Sequence, residues 1–276
     1  MVVRNWSFLF ALVAVLSVAA FLYAPFSPDW WLPNPHSAPG HSVSSMGREI
    51  DLLFIVILII TGLVFIGTQV ALVWEAFTFV DQLDEQGKPK RAASYFHGDN
   101  RLEIVWTLVP AVILVFITIY QFGTWARIKY PSRNPKVPPL AEITARQFQW
   151  VMRYPGPDGR LHSPDDLILI NDLHFVKNQP TLIHLKSSDV IHSFFLPQFR
   201  LKQDAVPGLT IPVWFDSDTA GSFELACAEL CGWGHYKMRG NVTVHETEAE
   251  FAKWTTERIG EQNRDQLDLA TDGEAR

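Results

Sequence analysis

Residues 227–238 read Cys227-Ala-Glu-Leu-Cys231-Gly-Trp-Gly-His235-Tyr-Lys-Met238, and they hold both cysteines of the chain. Two thiols, an imidazole and a thioether fall within this stretch, with a glycine on each side of Trp233. Thiolate and thioether are soft donors, and their combination favours copper over the hard cations. A distant imidazole, His192, lies in Asp189-Val-Ile-His192-Ser-Phe. Two cysteines, two histidines and a methionine are more than one copper ion needs. They suit two coppers that share both sulfurs, each held by one histidine. Three other readings use the same residues. Two cysteines in an exported domain commonly form a disulfide, although so short a loop strains that geometry. A zinc site of two Cys and two His leaves Met238 unused. A membrane-anchored copper chaperone of the thioredoxin-like kind needs a βαβ core around its cysteines, a pattern this sequence lacks.

Outward from this loop, composition divides the chain in two. It has 276 residues, 48% hydrophobic and 13% aromatic, with ten Trp and a mean hydropathy of +0.07. The apolar residues concentrate early. Leu52 to Trp74 is a run of 23 residues without a formal charge, and Ile104 to Trp125 is another of 22. At about 1.5 Å per residue each is long enough to cross a bilayer. Pro110 inside the second run is costly in a soluble helix and tolerated in a membrane. Trp106 and Trp125 mark the ends of that run, where indole rings favour the interface. The sequence thus predicts a transmembrane helical hairpin over 51–126. A third apolar stretch, within 1–24, reads either as a cleaved signal peptide or as an extra transmembrane helix. Residues 25–50 are rich in Pro and Ser and read as an extramembrane loop.

Orientation rests on loop charge. Lys88, Lys90, Arg91 and Arg101 lie between the two spans, against Arg48 alone between the N-terminal apolar stretch and the first of them. The bias favours a cytoplasmic 75–103 loop, with the C-terminal domain outside.

From about Ala141 the pattern changes to short strands: 167–170, 181–185, 190–195, 211–215, 222–226 and 241–245, separated by turn signals such as Pro207-Gly208. Strands at this spacing predict a β-sandwich or small barrel over 127–259. Thr247-Glu-Ala-Glu250 reads as a capping box opening a helix through Ile259, and 260–276 reads as a flexible polar tail. Residues 127–276 hold 17 Lys/Arg and 20 Asp/Glu, so the domain is only mildly acidic. No internal repeat, Gly-rich phosphate loop or basic nucleic-acid patch is present, which excludes the corresponding partner classes.

A two-span hairpin, a β-domain and Cys-x-Glu-x-Cys-x3-His-x2-Met after a distant Val-Ile-His-Ser-Phe together resemble subunit II of haem–copper cytochrome c oxidase. Glu103-Ile-Val-Trp-Thr-Leu-Val-Pro-Ala resembles that family's opening of the second span. Leu201-Lys-Gln-Asp-Ala-Val-Pro-Gly resembles its segment after the first copper histidine. The similarity covers roughly Asp51 to Trp254.

The resemblance implies a Greek-key cupredoxin barrel on a membrane-anchored helical hairpin, in the bacterial inner membrane with the copper domain periplasmic. It implies transfer of electrons from cytochrome c, soluble or membrane-bound, to haem in subunit I, where oxygen is reduced and protons are pumped. Cys227 and Cys231 would bridge the two ions of a copper A centre. His192 and His235 would bind one each, with Met238 and the carbonyl of Glu229 as axial ligands. The Glu229 side chain would reach a magnesium ion at the subunit I interface, and Glu103 would stand at the mouth of a proton-uptake path.

Two departures stand out. The family's Trp-aromatic-Trp run, which lies on a strand and whose first Trp accepts the electron, is Phe148-Gln149-Trp150 here. Two apart on such a strand, Phe148 and Trp150 would share one face and are the candidates for electron entry. Leu209 follows Pro-Gly where the family commonly has Arg. The absence of Cys-x2-Cys-His excludes a fused haem c. A copper A subunit of a nitric oxide reductase remains an alternative within redox chemistry, and the chaperone is the alternative from another class.

Overall fold

The structure is a computed structural model that describes residues 2–27, 42–78, 98–130 and 135–274, with positions 84, 86 and 88 between. Trp30, Trp31, His36, His41 and His97 lie outside the described residues, as does most of the Pro- and Ser-rich loop. The chain divides into two units, 1–40 with 52–123 and 41–51 with 124–276.

The first unit is helical. Helices α1 (Val2–Tyr23), α2 (Ser45–Thr78) and α3 (Asn100–Lys129) run through the apolar stretches. The last two are long and apolar enough to cross a membrane. Almost none of the side chains in their apolar stretches is buried, as lipid-facing residues of such spans require. Pro110 sits inside α3 without ending it. Helix α1 runs antiparallel to α2. Ser7 Oγ donates to the Ala76 carbonyl at 3.0 Å, and Phe21 meets Phe65 with ring centroids 5.7 Å apart. Gly62 makes the approach possible, because a Cβ there would lie 2.7 Å from Phe21 Cζ.

Helices α2 and α3 extend beyond the uncharged runs that predicted them. Loss of hydropathy marks where lipid ends, not where the helix does. The first turn of α2, expected as loop, is fixed by Asp216, whose Oδ1 accepts the Ser45 N–H at 2.9 Å. Asp51 pairs with Arg200 (2.7 Å), Arg48 with Asp218, and Glu49 with Arg127 and Thr124. Residues 41–51 are thereby stitched to the second unit, and Val43 and Met46 join its core.

That unit is a sandwich of two five-stranded sheets. The strands are β1 (Ala141–Arg146), β2 (Gln149–Tyr154), β3 (Leu167–Ile170), β4 (Asp172–Val176), β5 (Thr181–Ser187), β6 (His192–Leu196), β7 (Leu201–Ala205), β8 (Ile211–Phe215), β9 (Gly221–Cys227) and β10 (Arg239–His245). One sheet has the order β3-β2-β1-β5-β8 and the other β4-β10-β9-β6-β7. The pairs β1–β5 and β4–β10 are parallel and the remainder antiparallel, which is the mixed pairing of a Greek-key cupredoxin sandwich. Alternate residues point inward, so β5 reads buried and half-buried in strict alternation. Trp150, Tyr154, Phe175, Phe194, Phe199 and Phe215 fill the core.

The chain passes from one sheet to the other through a single residue. Asn171 adopts a left-handed φ of 57°. Its side-chain Oδ1 accepts the Trp150 N–H at 2.7 Å, its N–H donates to the Trp150 carbonyl at 2.8 Å, and its carbonyl accepts the Asn241 N–H at 2.8 Å. Gly240 leaves room for this corner, since a Cβ there would come 2.9 Å from the Asn171 carbonyl oxygen.

Four strands lie outside the six read from the pattern: β1, β2, β4 and β7, each with charged residues that interrupt it. The predicted capping box forms in part. Glu250 N donates to Thr247 Oγ1 at 3.2 Å, while the Glu250 carboxylate reaches back to the N–H of Glu246. Helix α4 (Glu248–Glu274) does not end at Ile259, as its falling hydropathy predicted, but continues into the polar segment. The Gln262 side chain explains the extension: it accepts the Ile168 N–H and donates to the Asp166 carbonyl, each at 2.9 Å, gluing the helix to the edge of β3.

Candidate metal centre

Three loops converge at one end of the sandwich: the β1–β2 turn, the segment before β6, and the β9–β10 loop that carries residues 228–238. Gln147 ties them together. Its N–H donates to Asp189 Oδ2 at 2.7 Å, and its side-chain amide donates to the Cys231 carbonyl at 2.6 Å.

The two cysteines are free, with sulfurs 3.9 Å apart, far beyond the roughly 2 Å of a disulfide. Met238 Sδ lies 3.8 Å and His235 Nδ1 3.6 Å from Cys231 Sγ. The Glu229 carbonyl lies 3.2 Å from Cys227 Sγ. A ring nitrogen of His192 and the two sulfurs all fall within 4.8 Å of one another. Every predicted ligand is therefore in one place, although His192 is 35 residues before Cys227 in sequence.

His192 carries the sharpest signal. The residue is fully buried, and Asp189 Oδ1 lies 2.8 Å from its Nε2. Its Nδ1 is buried with no hydrogen-bond partner among the described residues. A buried polar atom without a partner is costly. A metal ion at Nδ1 removes that cost, and a carboxylate on the far ring nitrogen is the usual way such a ligand is oriented. Burial pushes the Asp189 carboxyl up, yet bonds from His192 and from the N–H groups of Gln147 and Val190 hold it below its ordinary range. Cys231 is pushed up to about 11 by burial first and by the neighbouring Cys227 second. Two adjacent thiolates in this pocket thus call for a cation. The donor set fits a soft metal, and it leaves Met238 at hand where a zinc site would not use it.

The aromatic pair reads differently in space than in sequence. Phe148 and Trp150 were expected on one strand face. Phe148 instead lies in the β1–β2 turn, because the hairpin closes at Gln147 and Phe148, and only Trp150 enters β2. Trp150 is fully buried, edge-on to His192 at 6.2 Å between centroids and to Phe194 at 5.6 Å. Phe148 packs edge-on against Trp233 at 5.2 Å. Asp189 and Gln147 received no role from sequence. The Asp-x-x-His spacing was the available clue for the first, and nothing local marked the second. Glu103 stands exposed in the first turn of α3 and belongs to the helical unit rather than to this cluster. Glu229 is exposed, and so is Leu209.

A cupredoxin sandwich that gathers two cysteines, two histidines and a methionine at one end, on a chain with two membrane-crossing helices, is a membrane-anchored soft-metal redox protein. Comparison with known proteins makes this particular. The family described as cytochrome c oxidase subunit II, periplasmic domain, matches residues 146–245, and the transmembrane domain of the same subunit matches residues 40–123. The alternative cytochrome c oxidase subunit 2 of Bradyrhizobium diazoefficiens is 29% identical over 266 residues, covering 88% of this chain and 89% of that one. Cytochrome c oxidase subunit 2 of Cereibacter sphaeroides is 28% identical over 249 residues, covering 79% of each. Among solved structures, the periplasmic domain of oxidase subunit II from Bradyrhizobium japonicum is 28% identical and covers 46% of this chain and 97% of its own, with a TM-score of 0.41. This chain belongs to the cytochrome c oxidase subunit II family. It is a membrane-anchored component of a haem–copper terminal oxidase, and membership implies a copper A centre and association with other oxidase subunits.

Proposed function

We propose that this chain accepts single electrons from a c-type cytochrome at a dinuclear copper centre and passes them to haem in a partner subunit, for oxygen reduction coupled to proton translocation. The observation that carries the reading is the convergence of five side-chain donors on one pocket, with the buried Nδ1 of His192 lacking a hydrogen-bond partner among the described residues. When bound, a copper pair would supply a one-electron relay with little rearrangement on reduction.

The protein's own residues do the rest. Cys227 and Cys231 would hold the copper as thiolates, His192 and His235 through their imidazoles, and Met238 and the Glu229 carbonyl would complete the donor set. Asp189 accepts a hydrogen bond from the Nε2–H of His192 and so would keep the Nδ1 lone pair free for a metal. Gln147 pins the Cys231 carbonyl and with it the ligand loop. Trp150 and Phe194 cover the His192 side and exclude water. None of these groups gains or loses a proton in the step, as suits a relay.

Other roles extend the same reading. The exposed Glu229 carboxylate supplies one ligand to a magnesium ion that a partner subunit completes. Glu103, in the first turn of α3, serves proton uptake on the cytoplasmic side, opposite the periplasmic copper domain. Helix α1 is retained as a third membrane helix, a reading supported by its contacts with α2 through Ser7 and Phe21.

Metal analysis and electron paramagnetic resonance of the purified full-length protein test the core of the proposal. Two coppers per chain, with one unpaired electron coupled about equally to both nuclei, are expected. A single copper, or a zinc-only protein, would sink the relay and favour the chaperone or a structural site.

A further inference from the structure

We propose that Trp233, rather than Phe148 or Trp150, is the residue through which the donor's electron reaches the metal centre. The inference rests on the relay reading above. It starts from a gap: where the family places an electron-accepting Trp this chain has Phe148, and the nearby Trp150 is 0% exposed, so no donor protein touches it.

Trp233 fills that gap from the opposite loop. It is 81% exposed, on the ligand loop itself, two residues after Cys231 and two before His235. Its indole is therefore joined to two ligands through a short run of covalent bonds, along which electronic coupling falls off more slowly than across a gap. The ring rests edge-on against Phe148 at 5.2 Å.

The flanking glycines set this arrangement. Gly232 has a φ of 136°, and a Cβ there would come 2.9 Å from Gln147 Nε2 and 3.1 Å from the Phe148 ring. At Gly234 a Cβ would come 2.5 Å from Phe148 Cδ2. With both side chains absent, the loop lies flat on Phe148 and turns the intervening indole outward. Leu230 (78% exposed) and Tyr236 (66%) stand on the same loop, whose formal charges, Glu229 and Lys237, cancel. Large aromatic side chains of this kind anchor protein interfaces. The occupant the loop fits is a one-electron redox protein whose cofactor edge opens on a near-neutral, apolar face. In the step the reduced donor loses one electron and the metal centre gains it. No bond or proton moves, and the indole serves as contact and conduit without being oxidised.

The test uses the intact oxidase and the c-type cytochrome fraction of its own membranes, comparing Trp233→Ala, Trp233→Phe, and Trp233→Ala combined with Phe148→Trp. Binding of that fraction to the metal-depleted full-length chain is measured alongside, by surface plasmon resonance. We expect Trp233→Ala to lower kcat/KM for the cytochrome and to weaken binding, each by about tenfold or more, as loss of a central aromatic contact does. Trp233→Phe should retain part of both, and the double variant should recover at least half of the lost turnover. Photoreduction by a small ruthenium complex, which needs no protein docking, should be unchanged, as should the optical spectrum. Turnover and binding of Trp233→Ala within about twofold of the unaltered protein would overturn the proposal, as would equal slowing of photoreduction, which would mean a damaged centre. Failure of the unaltered oxidase to oxidise any cytochrome in the fraction would instead sink the relay reading, and this inference with it.

Discussion

At the scale of single residues, His192 and Asp189 show how an ordinary ion-pair geometry becomes a metal device. A surface Asp–His pair contributes little. Here the imidazole is buried, one nitrogen is committed to Asp189 and the other has no partner among the described residues. Asp189→Asn should leave the fold intact and lower copper affinity by about 10- to 100-fold, the usual cost of losing an orienting carboxylate. Competition with a chelator measures it, and an unchanged affinity would remove the orienting role. The ligands themselves are predicted to separate by chemistry. Cys227→Ser and Cys231→Ser should each abolish the shared-electron resonance signal. Met238→Leu should retain copper and shift its optical bands and potential, since an axial thioether is weakly bound.

At the scale of elements, the sheet corner and the last helix carry the predictions. Asn171 serves both sheets from a left-handed backbone. Asn171→Val replaces a side chain that accepts the Trp150 N–H with one that cannot, and adds about 1–2 kcal/mol for the backbone alone. Chemical denaturation should show a loss of about 2–4 kcal/mol, combining that cost with one buried unsatisfied donor.

Helix α4 docks through Trp254, stacked on His174 at 3.8 Å between centroids, and through Phe251, edge-on to His245 at 5.6 Å. His174 Nδ1 and His245 Nε2 are 3.0 Å apart. Burial, then the charge of His174, hold His245 below the usual imidazole range, with Glu250 opposing them. Asp172, beside His174, is held low by that histidine's bond. In acid the unfolded chain takes up the His245 proton before the folded one does. Stability contributed here is therefore complete above the unfolded value of about 6.5 and falls as pH drops below it. Denaturation at pH 7.5 and 5.5 should show the drop, and His245→Gln should flatten it. An equal slope in the variant would assign the effect elsewhere.

At the scale of the whole molecule, the predictions concern assembly. The native protein should co-purify in mild detergent with a many-span, haem-bearing subunit, and isolation as a stable haem-free monomer would count against the oxidase reading. Glu103→Gln should slow oxygen reduction while leaving reduction of the copper centre at its normal rate. Equal slowing of both would remove the proton-uptake role. Since the β-domain is only mildly acidic and the loop around Trp233 is formally neutral, turnover of the native donor should depend weakly on ionic strength.

Sequence by itself marked the two helices apolar enough to cross a membrane, the candidate ligands and six of the ten strands. Each of those is written in local terms: an uncharged run matched to a bilayer, soft donors at fixed spacing, a period-two pattern bounded by turns. The tertiary structure alone decided what depends on residues distant in the chain. Helix α4 outlives its hydropathy because Gln262 bonds to residues near position 167. The strands β1, β2, β4 and β7 form because their neighbours pair with them, despite weak patterns of their own. Phe148 leaves the strand because the hairpin turns at Gln147, which buries Trp150 and puts the ring of Phe148 under Trp233. A single strand pattern cannot foretell that exchange, because which aromatic is exposed is set by the loop that closes over it, about eighty residues later.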